Sequence, residues 1–142
     1  MKKLKSIMLG LTLLLVCGAV KANPIPSNEN LTATHAINTY VDAITRGKLN
    51  GLNEVLDQSV KFSMLRGTKV LSFDKKQMME FFKGDKNVEQ TCTTSTEVVE
   101  SNADVKVVKV DMKFDGFTRS NYVTVANTGD GWKITNVYSV FK

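Results

Sequence analysis

Three turns in the second half of the chain commit it to antiparallel strands. Asn102-Ala103-Asp104, Asp115-Gly116 and Thr128-Gly129-Asp130-Gly131 separate the stretches Val88–Ser101, Val105–Phe114, Phe117–Asn127 and Trp132–Phe141, which are rich in β-branched and aromatic residues. Asp-Gly between alternating apolar residues is a strong hairpin signal, because a two-residue turn of the favoured hand needs positive φ. Along 105–114 the period is two: Val108, Val110, Met112 and Phe114 fall on one face, and Lys109, Asp111 and Lys113 on the other.

The first half has a different period. From Leu31 to Gly47 the apolar residues Ala33, Ala36, Ile37, Tyr40, Val41 and Ile44 recur at three and four, which predicts a helix stopped by glycine. A second, short helix reads through Leu49, Leu52, Val55 and Leu56. The period then switches to two, with Val60, Phe62 and Met64 alternating against Lys61 and Ser63 before an Arg66-Gly67 turn. Asp74 and Gln77 form a capping box for a third helix that ends at Gly84 and offers Met78, Met79, Phe81 and Phe82 as an apolar face. Helices first and hairpins last predict an α+β domain, three N-terminal helices laid on one face of an antiparallel sheet.

The N-terminus is read separately. A basic start at Met1–Lys5, an apolar stretch from Ile7 to Val20 and Val20-Lys21-Ala22 before Asn23-Pro24 make a secretory signal over 1–22, with cleavage expected after Ala22. The apolar stretch falls short of the ~20 residues that span a bilayer, so no membrane span is expected after cleavage. Residues 23–30 are a polar lead-in, and the domain is expected over 31–142. An exported product is periplasmic or extracellular. The formal net charge of +5 is an artefact of this segment: Lys2, Lys3, Lys5 and Lys21 supply four of the 19 basic residues, leaving 15 against 14 acids. A nucleic-acid partner is therefore not expected. Cleavage also removes Cys17, so Cys92 is left without a disulfide partner, in a Thr/Ser-rich run with no neighbouring base.

The order of elements and several local segments together resemble one superfamily. Tyr40-Val41-Asp42-Ala43 ending in Gly47, the Leu52 to Val60 stretch, Asn121-Tyr122-Val123-Thr124-Val125 and Gly131-Trp132-Lys133-Ile134-Thr135-Asn136-Val137-Tyr138 carry the likeness. The chain resembles nuclear transport factor 2-like (cystatin-like) domains, most of all the secreted bacterial "putative lumazine-binding" and SnoaL-like members, over Leu31 to Phe141. The resemblance implies a cone: three helices wrapped by a strongly curved antiparallel sheet, with a pocket at the open end. Pairing as a homodimer through the outer sheet face is implied as well. The fold hosts isomerases, dehydratases, cyclases and non-catalytic modules alike, so activity must be argued from the site.

On that implied fold, the pocket would be lined by Tyr40, Ile44, Met64, Met78, Phe82, Met112 and Asn121, apolar with two polar tips, suited to a small apolar or aromatic ligand. Large side chains that simply fill the cone are the alternative. The ketosteroid isomerase pattern, aligned on Tyr40 and Gly47, keeps the oxyanion tyrosine at Tyr40, replaces the second donor by Asn121 and puts Met64 where the general-base aspartate belongs. A thioether accepts no proton, and loss of a positioned base costs about 10²–10⁴ in rate. His35 lies about 140° round the helix from Tyr40 at 100° per residue, which disfavours a dyad. Histidine, cysteine and carboxylates show no metal-ligand spacing, Gly116, Gly129 and Gly131 belong to turns rather than to a phosphate loop, and no cofactor is expected. The reading is an exported, non-catalytic small-molecule-binding or accessory protein. An enzyme working around Tyr40 and Asn121 and a structural dimer with a closed pocket are the alternatives. With Trp132, Ile134 and Tyr138 facing inward, the dimer face would collect Tyr122, Val137 and Phe141.

Overall fold

The computed structural model describes residues 31–142. The signal segment 1–22, its cleavage after Ala22 and the lead-in 23–30 lie outside the described residues. Helix α1 (Ala33–Arg46) starts where the Thr32 hydroxyl accepts the His35 backbone N–H at 3.0 Å, satisfying a donor that has no partner inside the helix. It stops at Gly47, whose φ of 66° lets its N–H return to the Ala43 carbonyl at 3.1 Å. A Cβ at Gly47 would lie within 3 Å of backbone atoms of Asp85, Asn87 and Val88. Glycine is therefore required there by both conformation and space. One face of α1 is buried, through Ala36, Tyr40, Ala43 and Ile44.

Helix α2 (Leu52–Val55) is a single turn, and its second apolar partner, Leu56, already belongs to a strand. Its carbonyl end is held by lysines from elsewhere in the chain. Lys75 Nζ donates to the carbonyls of Asn53 and Leu56, both at 2.9 Å, and Lys133 Nζ donates to that of Glu54 at 2.5 Å. Helix α3 (Lys75–Gly84) carries the expected capping box: Gln77 N–H donates to Asp74 Oδ1 at 2.8 Å and Asp74 N–H to Gln77 Oε1 at 2.9 Å. Met78 and Phe82 are its buried face, whereas Phe81 points to solvent and is 64% exposed.

Six strands form one sheet in the order β2-β1-β6-β5-β4-β3. They are β1 (Leu56–Arg66), β2 (Lys69–Phe73), β3 (Thr93–Ser101), β4 (Val105–Phe114), β5 (Phe117–Thr128) and β6 (Gly131–Phe141). The three hairpins fall where the turns predict them, pairing β3 with β4, β4 with β5 and β5 with β6 antiparallel. Helix α1 lies on β4, β5 and β6, and α3 on β1. Val110, Met112, Val123, Val125, Ile134 and Val137 form the sheet side of the core, each 1% exposed or less. Burying a side chain of this kind stabilises by roughly 1.5–3 kcal/mol.

Several expectations are corrected. The sheet is mixed rather than antiparallel, because β1 and β6 run parallel, with Phe62 opposite Val137 and Met64 opposite Ser139. That pairing joins strands from opposite ends of the chain, where no turn marks it. Strand β2 has no counterpart in the expected elements; it returns from Gly67-Thr68 to place Lys69 opposite Arg66. The strand expected to start at Val88 starts at Thr93, since 85–92 is spent on turns and on backbone bonds to α1, including Gln90 N–H to the Thr45 carbonyl at 2.6 Å. The sheet is also not strongly curled. Strand β3 stays exposed on both faces along nearly its whole length instead of being drawn into the core.

The most consequential correction is one residue wide. Between Thr124 and Val125 the β5–β6 register shifts: Thr124 lies opposite Asn136 but Val125 opposite Ile134, so Thr135 is an extra residue in β6. A bulge of this kind breaks the period of two. Ile134 and Val137 therefore both face the helices, at 0% and 1% exposure, and Tyr138 turns outward opposite Tyr122. Phe141, opposite Arg119, lies on the inner side. The expected outer patch of Tyr122, Val137 and Phe141 thus does not exist: two of its three members belong to the other face.

Candidate ligand-binding site

The buried part of the helix-facing side of the sheet is apolar except at one place. On β5, Arg119 and Asn121 are two residues apart and so share a face; Ser139 on β6 is the partner of Asn121. Asn121 is fully buried, and its amide is used on both sides. Nδ2–H donates to the Val110 carbonyl at 3.2 Å and approaches Met112 Sδ at 3.6 Å. Oδ1 accepts from Ser139 Oγ–H at 2.7 Å and from Arg119 Nε–H at 2.9 Å. The terminal Nη2 of Arg119 is 3.5 Å from Ser139 Oγ. A buried amide with all these partners stabilises the fold locally and fixes the guanidinium.

Helix α1 supplies the opposite wall. Tyr40 is completely buried, its ring 6.5 Å from that of Phe62, which in turn meets Phe82 edge-on at 6.2 Å. Burial raises the Tyr40 phenol above its ordinary pKa of 10.0, and the positive charge of Arg119 pulls it partly back. The phenol stays neutral at physiological pH, a donor and acceptor rather than a base.

The seven residues expected to line a pocket are therefore placed as follows. Tyr40, Ile44, Met78, Phe82, Met112 and Asn121 are buried and Met64 is half-buried. Asn121 and Met112 touch, and Tyr40 and Phe82 are bridged by Phe62. None of the seven lines the surface clefts of 230 and 430 Å³, which lie around Gln58 and Asp74 at the far end of β2. Met64 sits on the inner face opposite Ser139, where a carboxylate base would have been needed. His35 is half-buried on the flank of α1, its Nε2 3.4 Å from Thr39 Oγ1. Among the described residues no three His, Cys, Asp or Glu side chains converge to hold a metal.

The expected set omits Arg119. Its signal was present: inward-facing Asn121, Val123 and Val125 fix the parity of β5, and Arg119 has the same parity. Phe117 shares it too. Together with Phe114 and Phe141 it makes an aromatic rim beside the guanidinium. The rings of Phe114 and Phe117 stack at 4.7 Å, Phe117 and Phe141 lie 6.5 Å apart, and Arg119 Cζ is 5.8 Å from the Phe141 centroid. Phe117 and Phe141 are 45% and 43% exposed, so this polar core opens to solvent through an aromatic edge.

Comparison with known proteins agrees with this architecture. The model of the family described as "Putative lumazine-binding" matches residues 28–139. No curated protein matches. Among solved structures, a nuclear transport factor 2-like protein of unknown function from Silicibacter pomeroyi is similar at 18% identity and a TM-score of 0.62, covering 84% of this chain and 98% of its own. A second, from Shewanella baltica, has 8% identity, the same TM-score of 0.62 and the same coverage, 84% and 98%. A protein of unknown function from Pectobacterium atrosepticum has 15% identity and a TM-score of 0.61 over 82% of this chain and 92% of its own. At these identities the likeness is one of fold.

Proposed function

The chain belongs to the "Putative lumazine-binding" family of nuclear transport factor 2-like proteins, and on that premise we propose that it binds a small planar ligand at the aromatic edge above Arg119, Asn121 and Ser139, without catalysing a reaction. The observation that carries this reading is the buried Asn121 amide, whose carbonyl oxygen accepts from Arg119 Nε–H and holds the guanidinium beside the exposed rings of Phe117 and Phe141. A buried polar network that is fully satisfied rigidifies what it bonds, here the guanidinium. The non-catalytic half of the reading rests on chemistry. Among the described residues the buried side chains with a polar group are Thr39, Tyr40, Thr45, Ser120, Asn121 and Ser139, and none of these is a carboxylate or imidazole able to shuttle a proton.

The family's name makes lumazine, a flat pteridine with several hydrogen-bonding edges, the natural first probe. Titrated into the full chain and followed by its own fluorescence, it is expected to bind saturably at one site. Absence of saturation by lumazine and by other planar heterocycles up to about 1 mM, where binding free energy falls to about 4 kcal/mol, would defeat the reading.

Two further parts of the proposal concern setting. Export with cleavage after Ala22 is expected to appear in intact-mass spectrometry of the protein from a bacterial host as a chain starting at Asn23; an intact Met1 would remove it. Homodimerisation through the outer face would use Tyr122 and Tyr138, half-buried and opposite one another. Light scattering at micromolar concentration is expected to give twice the chain mass, falling to one on Tyr138→Glu; a monomer for the unaltered chain would exclude the interface.

A further inference from the structure

Arg119 is a half-buried cation with no ion-pair partner among the described residues. The ion pairs among the described residues are Asp42–Arg46, Glu80–Lys83 and Lys109–Asp111, and none involves it. Charges withdrawn from water are ordinarily paired. This one is held instead by neutral groups: Nε on Asn121, Nη2 near Ser139, and Cζ over the Phe141 ring at 5.8 Å. Those contacts orient the guanidinium without neutralising it, and they leave Nη1 free of hydrogen-bond partners among the described residues. The surrounding strand ends are richer in bases than in acids. Arg66 and Lys69 pair at the β1–β2 turn, Lys113 lies opposite Thr118, and Lys142 is tied to the Thr118 backbone at 2.9 Å. The nearby β4–β5 turn contributes a single acid, Asp115.

We propose that Arg119 reads a negative charge on the ligand, so that the molecule this protein takes is a planar aromatic or heteroaromatic anion, its ring against Phe117 and Phe141 and its charge on the guanidinium. The inference rests on the ligand-binding reading above and narrows it. An arginine fork matches a carboxylate, or the delocalised oxygens of an acidic heterocycle, through two parallel N–H donors. Aromatic walls add an apolar, flat surface at little entropic cost, since the three rings already contact one another.

A matched pair of probes tests this on the full chain: 2-naphthoate and its neutral isostere 2-naphthamide, titrated by isothermal calorimetry and by amide shifts in ¹⁵N spectra. The naphthoate is expected to bind at least about tenfold more tightly, the size of one charge-assisted hydrogen bond. Arg119→Gln, which keeps a donor for Asn121, is expected to erase that preference, so that the two probes bind with equal affinity. Arg119→Lys is expected to restore part of it, which a purely structural arginine would not show. Equal affinities for the two probes, or a preference that survives in Arg119→Gln, would overturn the anion assignment. If the two probes bind equally and shift Phe117 and Phe141, the ligand-binding reading stands and only the charge selectivity falls. If neither probe nor lumazine binds, both readings fall together.

Discussion

The two ends of the β5–β6 hairpin are made of the same two strands and have opposite characters. At the Gly131 end everything is closed. Leu31 packs so tightly on Gly131 that a Cβ there would come within 3.0 Å of its side chain, at a φ of 100° that disfavours any other residue. Lys106 Nζ lies 5.1 Å above the Trp132 ring, and Val125 and Ile134 are completely buried. At the Phe117 end, aromatic residues stay in solvent and an unpaired guanidinium sits beneath them. The lesson is that the core is concentrated where α1 and α2 cover the hairpin. The far end, where coverage runs out, is where the proposed ligand would take the place of the missing layer.

Substitutions can break that contrast or sharpen it. The largest effect is expected from Val137→Asp, which buries an unpaired charge on the helix side: a loss of about 3–5 kcal/mol, enough to unfold most of the protein. Phe141→Asp, at the open end of the same strand, is expected to cost under about 1 kcal/mol, in line with surface substitutions. Urea denaturation of both variants decides; a tolerated Val137→Asp would return that residue to the outer face. Next in size is Ile134→Ala at the closed end, expected to cost about 2–5 kcal/mol through cavity formation, against about 0.5–1.5 kcal/mol for Phe117→Ala, which loses one ring contact. Asn121→Leu removes the acceptor for Arg119 and Ser139 and the donor to Val110. It is expected to cost about 1–3 kcal/mol by the same denaturation and to abolish ligand binding.

Much of this arrangement is legible in the sequence, and the exceptions have particular causes. Gly47, Asp74 and Gln77 announce the end of α1 and the start of α3 because capping is local chemistry. The β4, β5 and β6 hairpins are announced by their glycines for the same reason. The parallel β1–β6 pair is not, because parallel strands meet across long stretches of chain that carry no turn signal. Strand β2 is hidden by its brevity and by exposure of both its faces. The bulge at Thr135 is hidden because one extra residue leaves composition untouched while reversing every later side chain. In the site, Asn121 is reached through the resemblance, at the position of the second donor; Arg119 shares its parity on β5, but a long side chain near a strand end carries no local signal that separates an inward arginine from a surface one.

The smallest effect concerns pH. Because burial holds the folded-state pKa of Tyr40 above its ordinary value of 10.0, the folded form keeps its proton where the unfolded chain gives it up. Its contribution to stability is complete below pH 10 and is lost as pH rises from there through the folded pKa. Tyr40→Phe is expected to lose less stability between neutral and strongly alkaline pH than the unaltered chain, measured by thermal melting; identical alkaline slopes would mean that Tyr40 titrates as if exposed. Asp57 behaves oppositely. Hydrogen bonds from the Ser59 hydroxyl and backbone N–H hold its carboxyl below the usual range, so its small contribution is present at neutral pH and fades as pH falls through that lowered value.

The contrast between the two ends is tested most directly by ¹⁵N chemical-shift mapping of the full chain during titration with lumazine. Saturable shifts concentrated on Phe117, Arg119, Asn121, Ser139 and Phe141, with Leu31, Trp132 and Ile134 unmoved, are the expected result. Shifts gathered at the Gly131 end, or in the clefts around Gln58 and Asp74, would contradict it.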